Sequence, residues 1–78
     1  MGIQATVQVI DLPRNIACQI EPEDEIGVQY ATLTSPDGTE MCFDYWRGLL
    51  TVEVNAWGSN RARYLPWLAK HGIPYNEG

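Results

Sequence analysis

The sequence predicts an α+β fold: about five mostly antiparallel strands in one sheet, with a short C-terminal helix packed on one face. Three observations predict it. Apolar and polar residues alternate with period two through the first three quarters of the chain. The stretch Ser35-Pro36-Asp37-Gly38-Thr39 is a turn signal between two such runs. After Asn60 the apolar spacing becomes helical and ends at a glycine.

In the first run, Ile3, Ala5, Val7 and Val9 share a face, and Gln4, Thr6 and Gln8 share the other. Pro13 breaks the pattern because it cannot donate to a ladder. A second strand turns Ile16, Cys18 and Ile20 inward, and a third is expected to turn Ile26, Val28 and Tyr30 inward. Pro36 presets φ for the first central position of a turn, Asp37 tolerates the second, and Gly38 accepts a positive φ. The strand beyond it places Met41, Phe43 and Tyr45 on the core face, with Glu40, Cys42, Asp44 and Trp46 opposite. Arg47-Gly48 turns the chain again. The next strand buries Leu50, Val52, Val54 and Ala56, and turns Thr51, Glu53, Asn55 and Trp57 outward.

In the last segment, Leu65, Leu68 and Ala69 fall at helical spacing, with Gly72 as the stop and Ile73 supplying the apolar contact of a Schellman-type end. Pro66 is disfavoured inside a helix, so a helix of about seven residues is expected from Leu65, with Pro66 in its first turn. A helix that short is unstable alone and must pack on the sheet.

The 78 residues are expected to form a single compact domain, 1–78. A chain of this size buries only about 60 to 65% of its unfolded surface. It rarely encloses the pocket of roughly 300 Å³ that a small-molecule site needs. The expectation is a non-enzymatic protein without cofactor. Cys18 and Cys42 are too few for a zinc site and read as reduced thiols of a cytoplasmic protein. Met1-Gly2 and the following residues fit a short myristoylation pattern, but their alternation is that of a strand. The start is not that of a secretory signal, and no run approaches a membrane span.

The net charge of −5 opposes direct binding to nucleic acid, which needs Lys and Arg at the phosphates. Its layout is lopsided. Residues 1–44 carry eight carboxylates against Arg14 alone, net −7, whereas residues 45–78 carry four cations against Glu53 and Glu77, net +2. The densest acid is Glu21-Pro22-Glu23-Asp24-Glu25. If extended, it lines up Glu21, Glu23 and Glu25 at about 6.7 Å intervals. That is sparse beside duplex DNA, with a charge about every 1.7 Å along its axis. Glu40, Asp44 and Glu53, turned outward on nearby strands, are the candidates to complete an acidic surface. The plainer reading is a solvated loop beside soluble strand faces. The segment lacks the spacing of a calcium loop. Trp46, on the outward face, is the candidate apolar anchor, since tryptophan is enriched at interface hot spots. Tyr64 and Trp67, near Arg61 and Arg63, read more simply as helix-on-sheet packing than as a base-stacking platform. His71 sits where a helix should end and reads as a cap favoured by the helix dipole.

In size and charge the chain resembles the small, acidic, phage-encoded anti-CRISPR proteins, with "EPEDE", "EMCFD" and "TVEVN" as the charge carriers. The resemblance covers the whole chain as a class likeness, and no motif carries it. It implies an inhibitor that binds a nucleic-acid-handling protein through a DNA-mimicking surface and blocks nucleic-acid binding. The implied partner is a basic groove of a protein such as a Cas effector subunit, reached in the host bacterial cytoplasm by a monomer or weak homodimer. The expected contact residues are Glu21, Glu23, Asp24, Glu25, Glu40, Asp44, Trp46 and Glu53. The alternatives are a small single-stranded nucleic-acid-binding module and a phage assembly or interaction module. The arginines after residue 45 depart from a uniformly acidic mimic.

Overall fold

The computed structural model describes residues 2–55 and 59–77. Its elements are β1 (Ile3–Gln8), a short 3-10 turn (Val9–Asp11), β2 (Ala17–Ile20), β3 (Tyr30–Thr34), β4 (Glu40–Trp46), β5 (Leu49–Val54), α1 (Ser59–Lys70) and β6 (Tyr75–Glu77). The strands form one antiparallel sheet in the order β2-β3-β4-β5-β1-β6. The expected antiparallel sheet with a C-terminal helix is therefore present, with a sixth strand added at the β1 edge. Ala56 and Trp57, assigned above to β5, lie outside the described residues.

The inward set is built as the alternation requires. Ile3, Ala5 and Val7 of β1, Met41 and Phe43 of β4, and Leu50 and Val54 of β5 are buried, and α1 adds Tyr64, Trp67 and Leu68 to the same core. Val9, Leu12 and Ile16, between β1 and β2, pack against it too. Phe43 is the hub: its ring meets Tyr64 edge-on at 6.1 Å between centroids and Trp67 at 6.2 Å. Pairs in this range add about 0.5 to 1.5 kcal/mol beyond area burial.

Three local expectations are corrected. First, β3 runs in the opposite phase. Ala31 and Leu33 are buried, whereas Tyr30 is exposed and Ile26 is 83% exposed in the preceding loop. The turn Ser35–Thr39 sets this phase by pairing Thr34 with Glu40 and Leu33 with Met41. A one-residue difference in register moves every side chain to the other face. Second, Ile20 lies on the inward side but is 38% exposed, because β2 is the sheet's edge. Third, α1 begins at Ser59, so Pro66 sits in its interior and Arg61 and Arg63 are helical. Pro66 and Ala62 are both exposed, so water can reach the carbonyl that Pro66 leaves without a donor.

The end of α1 is as expected. Ile73 N–H donates to the Leu68 carbonyl at 3.0 Å and Gly72 N–H to that of Ala69 at 3.3 Å. Gly72 adopts φ +69°, and Ile73 is buried, which completes a Schellman motif.

A separate reason for the length of α1 lies in β4. β4 and β5 pair only from Asp44–Thr51 to Trp46–Leu49. Hydrogen-bonded pairs alternate along an antiparallel ladder. Starting from the closing pair Trp46–Leu49, the Cys42 and Glu40 carbonyls aim at the side from which β5 has diverged. The helix supplies their donors. Tyr64 Oη donates to the Cys42 carbonyl at 2.8 Å, and Arg63 Nη2 to the Glu40 carbonyl at 2.8 Å. Burial raises the Tyr64 phenol's pKa above its ordinary value, so it remains a donor at neutral pH. Tyr64→Phe is expected to cost about 1 to 3 kcal/mol by orphaning that carbonyl. A urea titration reads this as a lower midpoint with unchanged slope.

The β3–β4 turn forms as predicted. Gly38 N–H donates to the Ser35 carbonyl at 2.9 Å, and Ser35 N–H to that of Thr39 at 3.0 Å. The Ser35 hydroxyl also donates to Asp37 Oδ1, which accepts the Thr39 N–H at 3.1 Å. These bonds hold the Asp37 carboxyl down at about 2. Trp67 Nε1–H donates to Ser35 Oγ at 3.2 Å, tying the turn to α1.

Candidate interaction surface

Helix α1 and the β1–β2 connection pack on the inward face of the sheet; no described element lies on the outward face. Strand register fixes what that face displays, because directly opposed residues share a face. One row runs Glu21, Tyr30, Asp44, Thr51, Thr6 from β2 to β1, with Glu21 placed by its N–H bond to the Tyr30 carbonyl at 2.9 Å. The row above holds Gln19, Thr32 and Cys42, with Thr34 and Glu40 beyond it. Below lie Trp46, Leu49 and Gln8, while Glu53 faces Gln4 and Gln4 faces Asn76. None of the five Lys and Arg residues lies in a strand.

Of the residues expected to make contacts, Glu21, Glu40, Asp44, Trp46 and Glu53 therefore share the uncovered face. Glu21 and Asp44 flank Tyr30 across about 10 Å, two strand spacings. Both bear on Cys42: burial raises its thiol pKa first, and the Asp44 and Glu21 charges raise it further. The thiol is thus kept protonated and a poor nucleophile. Cys18 pairs with inward Leu33 and Cys42 with outward Thr32, so the two thiols stand on opposite faces with β3 between them. No disulfide can join them in this fold.

The acidic stretch divides by role. It is not an extended row: Gly27 N–H donates to the Asp24 carbonyl at 3.1 Å, closing a turn over residues 24–27. Asp24 is committed to that turn, its Oδ1 accepting the N–H of Ile26 at 3.0 Å and of Val28 at 2.8 Å. Glu21 Oε1 accepts the Thr32 hydroxyl at 3.4 Å on the sheet face. Glu23 and Glu25 remain exposed in the loop, at the end of the sheet that carries the Trp46–Leu49 turn. Asp24→Ala is expected to destabilise the domain by about 1 kcal/mol, whereas Asp24→Asn retains the acceptor. Thermal unfolding should show a drop of roughly 4 to 8 °C for the alanine variant alone.

Trp46 is 62% exposed, and the Arg47 guanidinium lies 5.0 Å from its ring centroid. Arg47 has φ +46° and Gly48 φ +83°, the two positive values of a type I′ hairpin turn. Holding Arg in that region is unfavourable, and it places the cation over the indole. A shallow cleft of about 470 Å³, lined by Val9, Ile10, Trp46 and Leu49 among others, opens beside this turn.

Sequence reasoning missed Tyr30, the aromatic between Glu21 and Asp44. The signal was available: counting back from the Ser35–Thr39 turn places Leu33 and Ala31, not Tyr30, opposite Met41 and Phe43. Among the described residues, no group of three or more His, Cys, Asp or Glu side chains is placed to hold a metal ion. The His71 ring lies against Trp67 at 4.9 Å between centroids, tilted by 55°, on the helix side, and its Nε2 is buried without a partner. No helix among the described residues is long and apolar enough to cross a membrane. No family model, curated protein or solved structure matches the chain.

Proposed function

We propose that this protein is a non-enzymatic inhibitor of the anti-CRISPR type, which docks its acidic sheet face into a basic groove of a nucleic-acid-handling protein. One observation carries the reading: an uncovered face gathers Glu21, Glu40, Asp44 and Glu53, while every Lys and Arg lies in a loop, a turn or α1. Asp44 is the centre of the surface, Tyr30 and Trp46 are its aromatic contacts, and Glu23 and Glu25 extend it at one end. Its carboxylates are spaced more widely than duplex charges, so they meet individual Arg and Lys residues of the groove rather than copying a phosphate ladder. The site of action is the cytoplasm of a bacterial host. The single-stranded nucleic-acid reading is weaker, because Tyr30 stands between two carboxylates that repel phosphate.

The test is competition. Immobilised protein should capture a DNA- or RNA-binding protein from host lysate and release it as salt rises, since exposed charges are screened. The captured protein should lose nucleic-acid binding when the inhibitor saturates it. Retention of oligo-dT by the purified domain, or a partner that binds nucleic acid equally well in the complex, would overturn the proposal.

A further inference from the structure

The two edges of the sheet are finished differently. β6 is three residues long, and its Glu77 is tied to Arg61 of α1 at 3.5 Å. β2 has no such protection. Its residues Ala17, Cys18, Gln19 and Ile20 carry neither charge nor proline, the usual devices that keep an edge from pairing. Its hydrogen-bonding phase is fixed by Glu21, whose N–H points to β3. Odd-numbered residues of β2 therefore face β3, and Cys18 and Ile20 direct their N–H and C=O groups to the open side. Ile20 adds an exposed apolar side chain on the core side of that edge.

We infer that this edge takes a second copy of the same chain, β2 against β2 in antiparallel, two-fold pairing. The charge layout selects that occupant. Neutral β2 is bracketed by Arg14, in the turn before it, and by Glu21 and Glu23 after it. Antiparallel self-pairing brings Arg14 of each copy to the Glu21–Glu23 end of the other, so both ends of the contact are complementary at once. A register centred on Cys18 opposes Ile20 to the partner's Ile16, which continues the apolar layer across the junction. Pro22 ends the ladder, since it has no N–H to give. The result is a twelve-stranded sheet whose outward faces are continuous. The inference stands independently of the inhibitor reading.

Sedimentation of the full chain under reducing conditions tests it. The mass should rise from 8.8 kDa toward twice that value as concentration increases. Ile20→Lys and Arg14→Glu should each raise the dimer dissociation constant at least about tenfold, because each change acts twice across the axis. Both variants should keep the wild-type circular dichroism spectrum. Adding Glu23→Lys to Arg14→Glu should restore association by exchanging the charges. A monomer at every concentration up to about 1 mM (a contact weaker than about −4 kcal/mol) overturns the inference. So does a dimer that neither single variant weakens, or a charge exchange that restores nothing.

Discussion

Phe43→Ala is expected to remove a large share of the domain's stability at room temperature. Phe43 is 1% exposed at the centre of the sheet's inward face, against Tyr64 and Trp67 of α1. Truncating a buried phenylalanine costs about 3 to 5 kcal/mol, the cavity included. A domain of 78 residues holds only about 4 to 12 kcal/mol in total. The loss also reaches beyond the core. Without the ring, α1 no longer has its main apolar contact on β4, and Tyr64 and Arg63 lose the support that aims them at the Cys42 and Glu40 carbonyls. In urea, with a slope near 1 kcal/mol/M for so small a protein, the midpoint should fall by about 3 M or more. Phe43→Leu keeps an apolar side chain but gives up both aromatic contacts, and should cost about 1 to 3 kcal/mol, less than the alanine variant. Equal behaviour of the two variants would mean that Phe43 is not the hub.

The parts of the fold legible in the sequence were those decided within a few residues. The Ser35–Thr39 turn formed as read because Pro36, Asp37 and Gly38 each act locally. The alternation in β1 and β4 marked the buried face because both strands have one wet and one dry side. The end of α1 followed from Gly72 and Ile73. What was not legible depended on distant partners. Tyr75–Glu77 has no alternation of its own and becomes a strand because β1 offers a free edge. The start of α1 is not legible from Pro66 alone, because Tyr64 and Arg63 answer carbonyls more than 20 residues away. The phase of β3 required the hairpin register, which the run from Ile26 to Tyr30 does not contain.

The candidate site divided along the same line. Outward placement of Glu40, Asp44, Trp46 and Glu53 needed only period-two alternation. The acidic stretch needed the fold. Its charges look alike in the sequence, yet Asp24 spends its carboxylate on Ile26 and Val28 N–H groups, and only Glu21 joins the sheet face. Tyr30 came to that face with the corrected phase of β3.

Reversal of charge on β4 tests the working surface most directly. Asp44 and Glu40 are exposed on the uncovered face, and neither supports the core. Glu40→Lys with Asp44→Lys changes the net charge by as much as Asp11→Lys with Glu77→Lys, which leaves the sheet face untouched. Close interfacial charge pairs have coupling energies of about 1.5 kcal/mol or more, so the β4 reversal should weaken binding to the captured target at least about a hundredfold. The control should stay within about threefold, through long-range steering alone. The β4 variant should unfold at the wild-type midpoint, and the control, which gives up the exposed Glu77–Arg61 pair, within about 1 kcal/mol of it. Affinity for the target, measured for the pair at one fixed salt concentration, is the deciding quantity: a selective loss in the β4 variant is the predicted result, and equal affinities would contradict the assignment of this face.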